Sequence, residues 1–313
     1  MRSHGNITEL ADGNRWRQRK SLGLRNQVGS YLFLLPALLF FVVFTIYPIF
    51  YSLTMSFTNW QLVGPSHFVG AKNYVRILHD PVIGTAFKNT FLYGVISVPA
   101  QLLLGLGVAL ALDKPLRGRS LFRILYYLPV ITSWVVVSIL FEYLFNTDYG
   151  LVNWILMSLH LISNPIAWLA SPTGAIIMLS ILGSWKGIGW AMLIFLAGLQ
   201  SVPVELYEAS AVDGASRWQQ FRYVTMPGIR NTFLFVTVLL VIGAFNVFIS
   251  VFIVTGGGPV NSTQVLLTWM YNAAFQNLDF AYASALSWFI AAIIVIASLI
   301  QFRLFRPNRE KEV

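Results

Sequence analysis

Cysteine is absent from all 313 residues, which removes disulfides, thiolate zinc sites and cysteine nucleophiles. Its absence also leaves the redox compartment unread. Charge is scarce: Asp, Glu, Lys and Arg make up 11% of the chain against 57% hydrophobic residues. A soluble chain of this length would expose far more charge, so the mean hydropathy of +0.68 points to an integral membrane protein. No Gly-Lys dipeptide occurs, and with it any Walker A phosphate loop is excluded. The four histidines, His4, His67, His79 and His160, are scattered through tails and loops without i, i+4 pairing, which speaks against a metal site. There is no G-x-S-x-G elbow and no carboxylate pair at a hydrolytic spacing. Enzymatic readings have no residues to use, so any ATP that drives this protein is expected to be hydrolysed by another polypeptide. The net charge of +9 does not imply nucleic acid, because the basic residues sit at the ends of apolar segments and not on one face.

What the chain has is apolar runs of membrane-spanning length. Six are read: Tyr31 to Met55, Phe91 to Leu112, Leu121 to Phe145, Ala175 to Leu199, Phe233 to Thr255 and Ala281 to Phe302. The fold class expected is all-α, a polytopic bundle of six transmembrane helices spanning 29–304. It is flanked by a basic tail, 1–28, and a short carboxyl tail, 305–313. The tail before the first span carries Arg2, Arg15, Arg17, Arg19, Lys20 and Arg25, and is too long and polar for a signal-peptide n-region. Six spans put both termini on one side. The two tails, the turn after the second span and the loop 200–230 hold nearly all the Lys and Arg, whereas the alternate loops hold only Lys72 and Arg76, with Lys88 at a helix start. The positive-inside rule therefore makes both termini and the 200–230 loop cytoplasmic, in a multi-pass protein of the cell membrane. The stretch Trp154 to Ile162 is amphipathic and is expected at the outer interface.

The loop between the fourth and fifth spans is the most informative stretch. Pro203 suits a first helical position, Val204 to Val212 forms a short helix, and Asp213-Gly214 breaks it. Ser216 then caps a second helix, Arg217 to Val224, which Pro227 stops. Ala209, Ala211 and Ala215 leave a low-relief surface, while Glu208, Phe221 and Tyr223 supply a charge and two aromatic anchors, as in a helix that lies in a partner's groove. Inside the spans, polar residues are costly and mark candidate sites. Lys186 lies mid-span within Trp185-Lys186-Gly187-Ile188-Gly189-Trp190, which places an ammonium between indoles. It reads either as a solute-facing donor or gate element, or as a lysine paired to a backbone carbonyl. Asn246 can read a hydroxyl or serve as interhelical glue, and Glu142, near a span end, can snorkel. Aromatic residues that could stack on a sugar ring are Trp185, Trp190, Tyr271, Tyr282 and Trp288, although tryptophan also marks membrane interfaces.

Glu208-Ala209-Ser210-Ala211-Val212-Asp213-Gly214-Ala215, followed by Phe221 and Pro227, resembles the "EAA" coupling loop of ABC-importer permeases, particularly those that take up sugars. It departs from the family pattern at Ser210 and Asn231. Phe68 to Tyr74 with Asn89-Thr90, Phe122-Arg123, Leu128-Pro129 and Gly256 to Pro259 are similar to further patterns of the same family. The resemblance implies a cytoplasmic coupling helix between spans four and five that docks on a separate ATPase. Glu208, Ala209, Ser210, Asp213, Gly214, Ala215, Phe221 and Pro227 would carry that role. It also implies a second homologous permease, an ATPase dimer that uses ATP and Mg, and an extracytoplasmic solute-binding protein, with membrane lipid around the chain and no cofactor bound by it. Transport would run by alternating access. The candidate solute path is Lys186, Trp185, Trp190, Asn246, Tyr282 and Trp288. Two alternatives stay open: the same machine carrying glycerol 3-phosphate or another polyol phosphate, and an ion-coupled secondary transporter or channel. A membrane scaffold would leave the loop unexplained.

Overall fold

The structure is a computed structural model that describes residues 32–61 and 64–305. The basic tail 1–28 and, apart from Phe305, the carboxyl tail lie outside the described residues. The chain divides into two compact units, Met1–Met55 and Ser56–Val313.

In the first unit α1 (Leu32–Ser56) is an uncharged helix of 25 residues whose last residue enters the second unit. At 1.5 Å per residue it is about 37 Å long, enough for a hydrocarbon core of about 30 Å. Pro48 lacks the N–H that an α-helix needs. The chain widens ahead of it into a π turn, Val42–Ile46, closed by the Tyr47 N–H on the Val42 carbonyl.

The second unit contains α2 (Lys72–His79), α3 (Pro81–Asp113), α4 (Arg119–Ile131), α5 (Trp134–Leu144), α6 (Leu151–Ser158), α7 (Pro172–Gln200), α8 (Val204–Val212), α9 (Arg217–Gln220), α10 (Met226–Gly228), α11 (Arg230–Phe245), α12 (Ile249–Val254), α13 (Leu266–Tyr271) and α14 (Phe280–Leu304). Among the described residues extended chain pairs only in an isolated bridge between Thr58 and Phe68. Five segments are long and apolar enough to cross a membrane, namely α1, α3, α7, α11 with α12, and α14; α4 and α5 make a sixth if the bent pair counts as one crossing.

Three expectations are corrected in detail. The second span begins at Pro81, not Phe91, because the Asp80 carboxylate accepts the Val82 N–H and Pro81 occupies the first turn, so the helix starts a full ten residues earlier. The third span is not one helix: α4 and α5 meet at 93° across Thr132 and Ser133, both in extended conformation. The Thr132 hydroxyl donates to the Pro129 carbonyl (2.6 Å), a local bond that competes with helix continuation. The interface segment also differs, since α6 covers Leu151–Ser158 and the chain reverses at His160, whose φ is 55°.

The main core lies between α3, α7 and α11, where Leu102, Leu106, Met192, Phe195, Leu199 and Val236 are buried together. A Cβ added at Gly183 would meet Tyr93, at Gly187 Gln101, and at Gly105 Ala191. These contacts rise in the same order along both helices, so α3 and α7 run parallel. Gly183, Gly187 and Ala191 form a small-xxx-small stripe: the two glycines make room for the Tyr93 and Gln101 side chains, and at Gly105 the helices come close enough for a Cβ to meet Ala191 and the Met192 backbone, which is how membrane helices gain van der Waals contact without a hydrophobic drive. A smaller core joins Ile77 of α2, Ala273 just after α13, and Tyr282 and Leu286 of α14.

Candidate functional site

Seen along the chain, the polar segment after α7 is two short helices set against each other. α8 ends in a Schellman arrangement: the Ala215 N–H reaches the Ser210 carbonyl (2.9 Å), the Gly214 N–H reaches the Ala211 carbonyl (3.1 Å), and Gly214 sits at φ 75°, where glycine is free of the Cβ penalty. Ser216 starts α9 with a complete capping box, its Oγ accepting the Gln219 N–H while the Gln219 side chain accepts the Ser216 N–H (2.7 Å). The two helices are tied side by side. Tyr207 and Thr225 share a hydroxyl hydrogen bond (3.0 Å), and Gln220 Nε2 donates to Ser210 Oγ (3.2 Å), which in turn donates to the Tyr207 carbonyl. Ser210, where the resembled pattern has alanine, is thus a strut between α8 and α9.

Pro227 does not stop the second helix. The chain passes through a π turn, Phe221–Thr225, in which the Met226 N–H bonds the Phe221 carbonyl, and carries Pro227 inside Met226–Gly228. The wider turn sits two residues before the proline, as it does before Pro48, and absorbs the missing donor. Next to it Ile229 is fully buried in the main core with Leu199, so the segment is rooted on both sides in α7 and α11. Glu208, Ala209, Asp213, Gly214 and Pro227 are exposed, and Ala215 and Phe221 are half-buried, Phe221 against Trp218 at 5.5 Å. Among these exposed residues the polar segment also presents large apolar side chains: Val212 is 89%, Trp218 70% and Tyr223 73% exposed.

Midway along α7 Lys186 is buried, 3% exposed. Its Nζ donates to the carbonyls of Pro129 (2.6 Å), Val130 (3.2 Å) and Thr132 (2.6 Å), the oxygens left open where α4 ends. The indole facing it is neither Trp185 nor Trp190 but Trp134, whose ring centre lies 5.0 Å from Nζ. Trp185 is exposed beside Phe141 (6.3 Å) and Trp190 is half-buried against the main core. Trp134 also lines a cavity of about 420 Å3 together with Tyr93, Asn246, Phe248 and Ser250. Asn246 stands where the fifth span breaks between α11 and α12, and its Nδ2 donates back to the Ile242 carbonyl (2.8 Å). Lys186 and Asn246 are therefore both brought to Trp134, a residue that nothing in the sequence singled out, one against its ring and the other in the cavity it lines.

The remaining candidates lie elsewhere. Tyr282 is buried near the start of α14 and donates its hydroxyl to Asp80 Oδ2 (2.6 Å), which also accepts from Trp269 Nε1 (2.9 Å). Arg76 stacks over the Tyr282 ring (4.0 Å) and pairs with Asp279. Trp288 is half-buried further along α14, Tyr271 packs among Phe248, Phe252 and Phe275, and Glu142 is exposed at the surface of α5. Among the described residues no group of three His, Asp or Glu side chains is placed to hold a metal ion.

Against known proteins, residues 101–308 match the family described as "Binding-protein-dependent transport system inner membrane component". The chain is 37% identical over 290 residues to the probable ABC transporter permease protein YurN of Bacillus subtilis (strain 168), covering 92% of this chain and 99% of that one. It is 36% identical over 296 residues to the lactose transport system permease protein LacF of Rhizobium radiobacter, covering 93% and 98%. Its fold is similar to a chain of a bacterial alginate ABC transporter solved in complex with an alginate pentasaccharide-bound periplasmic protein, with TM-score 0.79, 22% identity, and 91% and 96% of the two chains covered.

Proposed function

The chain belongs to the family of binding-protein-dependent transport system inner membrane components, and on that premise we propose that it is the permease subunit of an ATP-driven importer that moves a sugar across the cell membrane by alternating access. A relative named for lactose transport, matched over nearly its full length, supports a sugar as cargo. The observation that carries the mechanism is the polar segment 203–228. It presents exposed Val212, Trp218 and Tyr223 beside Glu208 and Gly214 on two braced helices rooted in α7 and α11. A surface of that kind gains by burial in a partner's groove, and its roots carry the partner's movement into the bundle. The partner is an ATPase dimer using ATP and Mg. A second permease completes the pore, and a solute-binding protein delivers the cargo to the other face, with both termini cytoplasmic.

An anionic cargo such as a polyol phosphate would call for free cations along the path. Lys186, the cation deep in the described spans, is occupied by three carbonyls, which favours a neutral sugar. An ion-coupled mechanism would call for buried carboxylates, and Glu142 is exposed.

The test is Gly214→Trp. A Cβ at Gly214 would meet nothing within 4 Å, so the only cost to the chain itself is the left-handed backbone, about 1–2 kcal/mol. In proteoliposomes the variant should hydrolyse ATP yet transport at least about tenfold less, since an indole here clashes only with the docked partner. Wild-type uptake by this variant would sink the docking role.

A further inference from the structure

An ammonium has three N–H donors, and Lys186 spends all three on backbone carbonyls. None is left for a solute hydroxyl. What the lysine does hold is the break in the third span: its three acceptors are the terminal oxygens of α4 and the first residue beyond them, where a helix end favours a cation. On the far side of the break stands Trp134, the first residue of α5, with its ring against Nζ and one edge on the Asn246 cavity.

The other end of α7 matters equally. Fourteen residues, or about 21 Å of continuous helix, separate Lys186 from Gln200, and only Ser201-Val202-Pro203 intervene before α8. Slack between α7 and α4 is removed by Gly189, where a Cβ would come within 2.0 Å of the Tyr126 carbonyl oxygen. A shift of α8 is thus delivered along α7 to one ammonium, and through it to the junction of α4 and α5.

We propose that Lys186 is a positioning residue that links movement of the polar segment 203–228 to the cavity wall at Trp134, without touching the solute. The inference rests on the importer reading, because it needs a partner that moves α8. During transport α5 then follows α7, and the Asn246 cavity opens or narrows with the state of the ATPase.

Because the chain has no cysteine, labels can be placed at will. Spin labels at Leu140→Cys in α5 and Ile181→Cys in α7, both exposed sites, report the distance between the two helices in the purified complex in nanodiscs, with and without Mg-ATP and vanadate. In the wild-type background the distance should stay constant, because the helices move together. In Lys186→Met it should match wild type at rest and then shift or spread by roughly 2–5 Å on vanadate trapping, the range of helix displacements in switching proteins. Lys186→Arg, which keeps a cation at the break, should restore the constant distance. A Lys186→Met trace like wild type in both states overturns the proposal, and so does one already spread at rest, which would make the lysine a static brace. If Lys186→Met does not assemble, Lys186→Gln decides: a nucleotide-dependent spread supports the link, and behaviour identical to Lys186→Arg overturns it. A wild-type complex that traps no nucleotide fails as an importer and takes this inference with it, whereas trapping with an unmoved Lys186→Met distance removes the inference alone.

Discussion

Replacing Gly189 by alanine is the sharpest test of how α4 and α7 are joined. The added Cβ would lie 2.0 Å from the Tyr126 carbonyl oxygen, 2.8 Å from its carbon and 3.0 Å from the Tyr127 Cα. All three are backbone atoms that cannot swing aside. Reaching an ordinary contact of 3.4 Å requires the helices to part by about 1.4 Å. That separation stretches the Lys186 bonds to Pro129 and Thr132 from 2.6 Å toward about 4 Å, beyond hydrogen-bonding reach. Overpacking costs about 1–3 kcal/mol, and each charge-assisted bond lost about 1.5–3 kcal/mol, against a gain of about 1 kcal/mol from helix propensity. With both Lys186 bonds lost, a net loss of about 3–8 kcal/mol follows. The assay is the half-life of the folded protein in nanodiscs at fixed temperature, with Gly107→Ala as control, since a Cβ at Gly107 meets nothing within 4 Å. Gly189→Ala should unfold much faster than wild type and Gly107→Ala no faster. Equal half-lives for the two variants would refute the close approach and the lysine cap together.

Three further changes probe the loops that frame the bundle. Asp80→Ala strands the Tyr282 hydroxyl and the Trp269 indole, both bonded to Oδ2, and should cost about 2–4 kcal/mol by thermal unfolding; Arg76→Ala, whose ion pair with Asp279 is at the surface, should cost no more than about 1 kcal/mol. Asn153, buried at 3% exposure, donates to the Thr147 and Ile166 carbonyls and accepts from the Ile166 N–H and Trp168 Nε1, so Asn153→Ala should free the 146–168 loop; limited proteolysis should cut there at least about tenfold faster while the helices stay protected.

Local chemistry made much of this architecture legible in the sequence. The bounds of α8 follow from Pro203 and Asp213-Gly214, and the Ser216 cap from the residue types around it, because turns and caps are decided within four or five residues. The apolar runs gave five of the six expected crossings, because a stretch long and apolar enough to span is visible in composition alone; the sixth is the bent pair α4 and α5. What stayed hidden depends on residues far apart in the chain. The break after Ile131 is stabilised by a lysine more than fifty positions away, and hydropathy reads α4 and α5 as one run. Pro227 was read as a stop because an α-helix has no place for it, whereas a π turn upstream makes room. Trp134 carried no local signal beyond its proximity to Pro129. Its importance comes from where α7 and α11 meet it.

The central claim, that this chain is a lever and gated path worked by a separate ATPase, is tested most directly by purifying the tagged full chain from its native membranes in mild detergent and identifying what comes with it by mass spectrometry. The account predicts stoichiometric recovery of an ATP-hydrolysing subunit and a second permease. Recovery of the chain alone, or only as copies of itself, under conditions that preserve comparable complexes would contradict it.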